Sequence, residues 1–445
     1  MNVLVIGSGG REHALAYGIS KSSEPGKLFI SPGNPGTALL AENVQLTNNK
    51  EIVNFCKSGN IELVVIGPEK PLVEGLSDLL RDNNINVFGP SKAAADIEAY
   101  KSFAKNLMQK YNIPTAGYME FSNAKDALEY IKGKSFPVVI KADGLAAGKG
   151  VIICNDLNEA EEALKNIFDN KIFGKAGDKV IVEDFLKGEE ASVLAVTDGS
   201  EFVCLPAAQD HKRISDGDKG KNTGGMGAYA PAPLVTSEVL EKVEDRIIKP
   251  VLEAMKTEGR IFTGCLYCGL MIQDGEPSVV EFNCRFGDPE TQAVIPLLEG
   301  NFLELLYSSA RGKINKNSVK YSGNSAVCVV AASHGYPDFY DTGFEISGLD
   351  EIKNNDIIVF HAGTRIEHNK LVTSGGRVLG LTASSREGDL KEAKLKAYDN
   401  LRKIHYEHIY YRTDISDKAF KSPKSKVQSQ EISSKSIVQS SKSKN

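Results

Sequence analysis

The first part of the chain constrains its folding most. From Met1 to about Gly89, short apolar runs alternate with stretches of helical periodicity. Val3–Ile6, Lys27–Ser31, Leu63–Gly67 and Asn86–Gly89 read as strands, and Arg11–Ser20, Lys50–Ser58 and Leu72–Asn83 as helices. Such alternation predicts βαβ units and a parallel sheet. Each strand ends in glycine or proline: Gly7-Ser8-Gly9-Gly10, Ser31-Pro32-Gly33, Gly67-Pro68-Glu69 and Gly89-Pro90-Ser91. Ligands of open α/β sheets bind beyond the carboxyl ends of the strands. These ends therefore predict a binding edge.

Length and charge narrow the class. At about 100–200 residues per domain, a chain of 445 residues predicts about three domains. A net charge of −5 argues against a nucleic-acid binder, while leaving room for a local basic pocket. No apolar run is long enough for a bilayer. Met1 leads straight into a strand, without the charged lead and apolar core of a secretory signal. Seven scattered cysteines fit free thiols in a reducing cytoplasm. Cys265 and Cys268 form a C-x-x-C pair inside the apolar run Ile261–Ile272. Residues three apart on a strand face opposite ways, so packed core cysteines are expected rather than a metal or redox pair.

Beyond Gly89 the pattern changes. A helix is expected over Lys92–Tyr111. Strands follow at Val138–Ala142, Val151–Cys154 and Lys179–Phe185, around a helix at Asn158–Ile167. A mixed segment runs from Ala191 to about Asn317. Strands return at Ala326–Ala331, Ile357–Phe360 and Arg377–Thr382, before a helix at Asp389–Ile404. From about Lys421 the chain is mostly Ser, Lys and Gln, and a disordered tail is expected. The predicted units are 1–100, 101–190, 191–325 and 326–420, with the tail at 421–445.

Three motifs carry chemistry. On a strand, Glu281, Asn283 and Arg285 project one way, and Val280 and Phe282 project the other, towards a core. Two hard oxygen donors beside a guanidinium suit a hard cation with a polyphosphate; the plainer alternative is the solvated face of an edge strand. Lys141-Ala142-Asp143-Gly144-Leu145-Ala146-Ala147-Gly148-Lys149-Gly150 links two strands. It lacks the spacing and the hydroxyl residue of a Walker A loop. A glycine hairpin can still fold over phosphates with its amides, above a lysine that otherwise snorkels to solvent. Gly7-Ser8-Gly9-Gly10-Arg11-Glu12 opens a helix. Glu12 stands where a dinucleotide fingerprint needs its third glycine, and no acid closes the second strand. Free amides at such a helix start can hold a phosphate or carboxylate, with Arg11 adding charge; the alternative is a tight turn. Downstream, Glu183, Asp184, Glu189 and Glu190 could bind the amino group and hydroxyls of a nucleoside.

A lysine strand, a glycine flap, an acidic hinge and a Glu-x-Asn-x-Arg strand, in that order, resemble the ATP-grasp superfamily. Gly7–Ala14, Pro32–Thr37, Gly67–Leu72, Lys141–Val151, Gln209–Arg213, Asn222–Pro231, Glu281–Thr291 and His361–Thr364 resemble, more narrowly, the phosphoribosylamine–glycine ligase family. The resemblance spans roughly residues 1 to 415.

It implies a multidomain α/β protein. An N-terminal parallel-sheet domain would precede a two-part ATP-grasp core, a small β-rich C-terminal domain and the tail. It implies ligation of glycine to 5-phosphoribosylamine by way of an acyl phosphate, with ATP and Mg²⁺, or Mn²⁺, as cofactors. A cytoplasmic monomer acting on small molecules is expected, without nucleic-acid or membrane partners.

Carried over by position, Lys101 and Lys141 would hold the ATP phosphates, under a flap that includes Gly144, Gly148, Lys149 and Gly150. Glu183 and the Phe185 backbone would read adenine, and Glu190 the ribose. Glu281 and Asn283 would ligate the metal, and Arg285 would stabilise the transferring phosphoryl group. Asp210 and Lys212 are candidates for contacts to glycine and phosphate. Gly9, Gly10, Glu69, Thr364 and Arg377 are candidates for phosphoribosylamine, Arg377 within a Ser374-Gly375-Gly376 nest. His211 or His361 could serve as a base, though the chemistry does not require one.

Many superfamily members carry a further carboxylate on the strand before Glu281. Here that strand reads Gly269-Leu270-Met271-Ile272, so a second metal ion would need Glu281 to bridge. Another ATP-grasp ligase or carboxylase, or an ATP-binding regulatory module without turnover, are the competing functions.

Overall fold

A computed structural model describes residues 1–22, 26–145 and 150–420. The expected tail at 421–445 and the flap residues Gly148 and Lys149 lie outside the described residues.

The N-terminal strands form the expected parallel sheet. β1 (Asn2–Gly7), β2 (Leu28–Pro32), β3 (Glu42–Asn43), β4 (Ile61–Ile66) and β5 (Asn86–Phe88) lie in the order β3-β2-β1-β4-β5. The order reverses at β1, which puts the switch-point crevice beside Gly7 and the start of helix α1 (Gly10–Ser20). Helix α2 (Asn49–Ser58) is capped by the Asn48 side chain, which accepts from the Glu51 amide.

Two helices expected to be continuous are broken. The stretch ending at Asn83 forms α3 (Glu69–Glu74) and α4 (Leu76–Asp82), divided at Gly75 by a left-handed φ of 94°. The stretch 92–111 forms α5 (Lys92–Ala99) and α6 (Lys101–Lys110), with Tyr100 extended between them. The cause of the second break is tertiary. The Lys101 amide donates to the Asp143 carbonyl at 3.0 Å. The Ser102 amide and hydroxyl donate to the Asp143 carboxylate at 2.7 and 2.8 Å. A carboxylate at a helix N-terminus satisfies free amides and complements the dipole; this one arrives from 41 residues away.

An antiparallel sheet follows: β6 (Tyr118–Phe121), β7 (Val138–Ala142), β8 (Val151–Cys154) and β9 (Val180–Asp184), in the order β6-β9-β7-β8. Helices α7 (Ala124–Lys132) and α8 (Leu157–Phe168) pack on it around a separate apolar core that includes Ile131, Ile140, Leu164 and Val182. The next sheet has the order β11-β10-β16-β17, from β10 (Glu189–Thr197), β11 (Phe202–Cys204), β16 (Gly264–Gln273) and β17 (Glu276–Asn283).

The last sheet joins β12 (Gln209–Asp210) and β15 (Gly227–Ala230) to β20 (Ser325–Ser333), β21 (Ile357–His361), β24 (Arg377–Ser385) and β25 (Ile409–Tyr410). Backbone pairing thus ties residues 209–230 to the segment beginning near 326. β13 (Arg213–Ser215) and β14 (Lys219–Asn222) form a separate ribbon.

The face assignment on β17 needs one correction. Gly269 pairs with Glu281, but Leu270 pairs with Val279, so Val280 is the extra residue of a β-bulge. Val279 is in the core and Val280 is only half-buried. From Glu281 onward the expected alternation holds: Phe282, Cys284 and Phe286 are buried, whereas Glu281, Asn283 and Arg285 are half-buried. Cys265 and Cys268 belong to two different core clusters, as expected of opposite strand faces, and all seven cysteines are free thiols. Among the described residues, no helix is long and apolar enough to cross a membrane.

Candidate active site

The bulge on β17 is where the lysine strand docks. Lys141, near the end of β7, is 4% exposed, which excludes the snorkelling alternative. Its ammonium donates to the Val280 carbonyl at 3.0 Å and pairs with Glu183 Oε1 at 2.9 Å. Lys105 holds the other oxygen of Glu183 at 3.1 Å. Lys105 also donates to Thr115 Oγ1 at 2.8 Å, and that hydroxyl donates to the Val279 carbonyl at 2.7 Å. The two lysines therefore stitch the β6–β9 sheet to the strand bearing Glu281 and Asn283.

Lys101, at the start of α6, donates to the Gly144 carbonyl at 3.2 Å, where the glycine hairpin begins. The hairpin rejoins the sheet at Gly150, whose carbonyl accepts from the Ala142 amide at 2.8 Å. Burial lowers the Lys101 pKa, and the charge of Glu281 partly opposes that. Phe185 lies just past β9 and is exposed.

Glu281 is an anion set among cations. Burial alone would raise its pKa; Lys212, then Lys141, Lys101 and Arg285, hold it below the usual carboxylate range. Lys212 sits 3.1 Å from Glu190 and 3.5 Å from Glu281. An ionised carboxylate, with an amide oxygen two residues on, fits a hard divalent cation. Lys212 is the positive charge such an ion would compete with. Asp210 differs. Burial, then the nearby Glu290, push its carboxyl well above the usual range. It lies against Gly225, where a Cβ atom would come within 2.8 Å of Asp210 Oδ1.

Arg285 pairs through its terminal nitrogen with Glu98 at 3.0 Å and through Nε with Glu69 at 3.5 Å, the second contact too loose to count as a hydrogen bond. A guanidinium N–H held this loosely can turn to an incoming anion. Glu98 also accepts from the Cys284 amide at 2.7 Å, so α5 fixes the turn that presents Arg285.

The residues expected around the acceptor converge on the loop after β17. Arg377 pairs with Asp288 at 3.3 Å, and Gln292 donates to Asp288 at 2.8 Å. A Cβ on Gly10 would meet Gln292 at 2.5 Å, and one on Gly9 would stand 3.7 Å from Asp288. A cavity of about 390 Å³ opens beside them, lined in part by Gly7, Ser8, Gly9, Thr47, Asn48 and Pro68. Three details differ from expectation. The Gly9 amide is not free, because it donates to Glu12 Oε2 at 2.6 Å. Arg11 does not face a ligand either; it is buried, bonded to Glu12 and to the Phe286 carbonyl. Arg377 is likewise occupied, donating to the carbonyls of Gly224 at 2.7 Å and Asp288 at 2.8 Å.

Thr364 meets His361 Nδ1 at 3.1 Å, and the His361 amide donates to His13 Nδ1 at 2.9 Å. This joins the N-terminal sheet to the last one. Burial lowers the His361 pKa to about 4. Burial, and then the neighbouring His361, lower that of His13 to about 3. Burial also takes His211 to about 3, and neither of its ring nitrogens has a hydrogen-bond partner among the described residues. At neutral pH such imidazoles are weak bases, which argues against His211 and His361 in that role.

Several residues of this site escaped sequence reasoning. Lys105 lies four residues after Lys101 on one helix face, a spacing that could have marked it. Asp143 and Asp288 stand inside motifs already singled out. Glu290 does too, though its partners Ser192 and Tyr267 are distant in sequence. Glu98 gave no local signal, because its partner Arg285 is distant.

Residues 1–98, 99–291 and 326–418 match the family models for the N domain, the ATP-grasp (A) domain and the C domain of phosphoribosylglycinamide synthetase. A phosphoribosylamine–glycine ligase of Caldanaerobacter subterraneus is 46% identical over 419 residues, covering 94% of this chain and 99% of the relative. The crystal structure of the Thermotoga maritima phosphoribosylamine–glycine ligase superposes with a TM-score of 0.82 at 37% identity, covering 94% of this chain and all of that one. A biotin carboxylase–ATP complex from Campylobacter jejuni shares the fold alone, with a TM-score of 0.71 at 14% identity and 92% of each chain covered.

Two subdomains meeting across a lysine strand and a carboxylate strand define an ATP-grasp enzyme, one that uses ATP and a divalent metal ion. Within that class, the chain belongs to the phosphoribosylamine–glycine ligase family, whose members are ATP-dependent ligases of purine biosynthesis.

Proposed function

We propose that the chain joins glycine to 5-phosphoribosylamine through a glycyl phosphate. A free carboxylate is a poor acyl donor, because oxide is a poor leaving group. A glycine carboxylate oxygen attacks the γ-phosphorus of ATP, and ADP leaves. The amine of phosphoribosylamine then attacks the acyl carbon, phosphate departs, and the nitrogen loses a proton. The products are glycinamide ribonucleotide, ADP and phosphate. Both steps handle dense negative charge, so the site needs fixed cations and water exclusion more than acid–base groups.

The contact that carries this reading is Lys141 to the Val280 carbonyl at 3.0 Å, because it sets the phosphate-binding lysine against the metal-binding strand. Lys101 and Lys141 hold the phosphates under the hairpin from Gly144 to Gly150. Glu183 accepts from the adenine amino group, with the Phe185 backbone beside it, and Glu190 meets the ribose. Glu281 and Asn283 would hold Mg²⁺, or Mn²⁺ in its place, which would supply charge neutralisation at the phosphates. The Nε of Arg285, held only loosely by Glu69, turns to the transferring phosphoryl group. Asp210 and Lys212 contact glycine and phosphate. Gly9, Gly10, Glu69, Thr364 and Arg377 enclose phosphoribosylamine, with Arg377 acting through the carbonyls it clamps. A monomer in the cytoplasm fits these small substrates.

The test is ADP release with phosphoribosylamine generated in situ. Turnover should require glycine. Equal rates with alanine, serine or bicarbonate would overturn the assignment.

A further inference from the structure

Glu183 is a carboxylate in an enclosed, low-dielectric place, 4% exposed, with an ammonium on each side. The two lysines are not equivalent. Lys105 is 2% exposed and has three acceptors, Glu183 at 3.1 Å, Thr115 Oγ1 at 2.8 Å and the Ala116 carbonyl at 3.4 Å. An ammonium has three N–H groups, so Lys105 is saturated and held by the framework. Lys141 has two acceptors among the described residues, Glu183 and Val280, and it points to Glu183 Oε1 with poor hydrogen-bond geometry. Of the pair, Lys141 is the one free to turn towards another anion.

We propose that Lys105 is a positioning residue for the nucleotide site: it keeps Glu183 ionised and stationary when Lys141 leaves that carboxylate for phosphate. The proposal rests on the nucleotide reading given above. A buried carboxylate left without a cation either takes up a proton or retains the remaining cation. Without Lys105, Glu183 would keep Lys141 away from phosphate or become a carboxylic acid. The acid form donates as well as accepts, so it no longer distinguishes an amino group from a carbonyl on the purine ring. Burial lowers the Lys105 pKa to about 8, against the pull of Glu183, which still leaves it charged at neutral pH.

The experiment compares Lys105→Met, Glu183→Gln and the double variant, each assayed with ATP and with GTP. Lys105→Met should raise the KM for ATP at least tenfold and shrink the ATP-over-GTP ratio of kcat/KM by a similar factor. The KM for glycine should stay within about twofold of wild type, a split that general loosening of the fold would not produce. In the Glu183→Gln background, Lys105→Met should add nothing further. That arm remains readable if the single variant folds poorly, because the double variant leaves no unpaired carboxylate. Wild-type ATP selectivity in a folded Lys105→Met enzyme would overturn the proposal, as would additive effects in the double variant. Unchanged nucleotide kinetics in Glu183→Gln alone would instead remove the adenine assignment of Glu183, and the proposal with it.

Discussion

The proposed nucleotide half and the proposed acceptor half of this site solve opposite electrostatic problems. Around Lys101, Lys105, Lys141, Lys212, Glu183 and Glu281, charged side chains are held before any ligand arrives, Lys101 by the Gly144 carbonyl and the others by ion pairs. Beyond the turn of Lys141, little reorganisation is needed when phosphate charge moves. Around Gly9, Gly10, Gly36 and Thr364, the walls are glycines, backbone groups and two neutral imidazoles. A Cβ on Gly36 would lie 2.4 Å from the His13 ring and 2.6 Å from that of His361. The first half works by charge and the second by fit. Substitutions should therefore act on turnover in one and on acceptor binding in the other.

The largest effect should come from Glu281→Gln, which removes the carboxylate proposed to bind the metal and unbalances four cations. A loss of about 3–4 kcal/mol in the transition state means kcat lower by a few hundredfold, with an unchanged circular dichroism spectrum. Retained turnover would remove Glu281 from the metal site. Gly36→Ala should come next. Wedging a methyl between two rings costs about 1–3 kcal/mol, seen as a lower Tm and a raised KM for phosphoribosylamine. The KM for ATP should not move; if it did, the two halves would not be separable.

Acid should open the acceptor half as well. His13 and His361 have folded pKa values of about 3 and 4, below the 6.5 of the free side chain. The unfolded chain therefore binds protons first as pH falls. The stability this pair contributes should be level above pH 6.5 and decline from there to about pH 3, the lower of the two folded values. His13→Phe should flatten that limb in a pH series of urea melts. The smallest effect belongs to Asp143→Asn. It weakens the cap on α6 by about 1 kcal/mol and should raise the KM for ATP a few-fold, because Lys101 begins that helix. An unchanged KM would show that Lys101 does not depend on the cap.

Most of this layout was legible in local sequence. The parallel sheet followed from alternating strands and helices, and the family from motifs in order. The Glu281–Asn283–Arg285 face followed from a short-range pattern. Three of the misses share a cause. The Tyr100 break depends on Asp143, the Val280 bulge on its pairing with β16, and the inward turn of Arg11 on Phe286. In each, the deciding partner is far away in sequence, and propensity yields to a tertiary hydrogen bond.

Sequence alone therefore determined which chemical groups this protein carries and on which elements they stand, because strand and helix periods are local properties of the backbone. Only the tertiary structure decided which charges share an enclosed space. Lys105 becomes a partner of Glu183, and Glu98 of Arg285, through chain crossings that no local pattern encodes. Burial then makes such pairing obligatory, since an ion away from water needs a counter-charge wherever along the chain it originates.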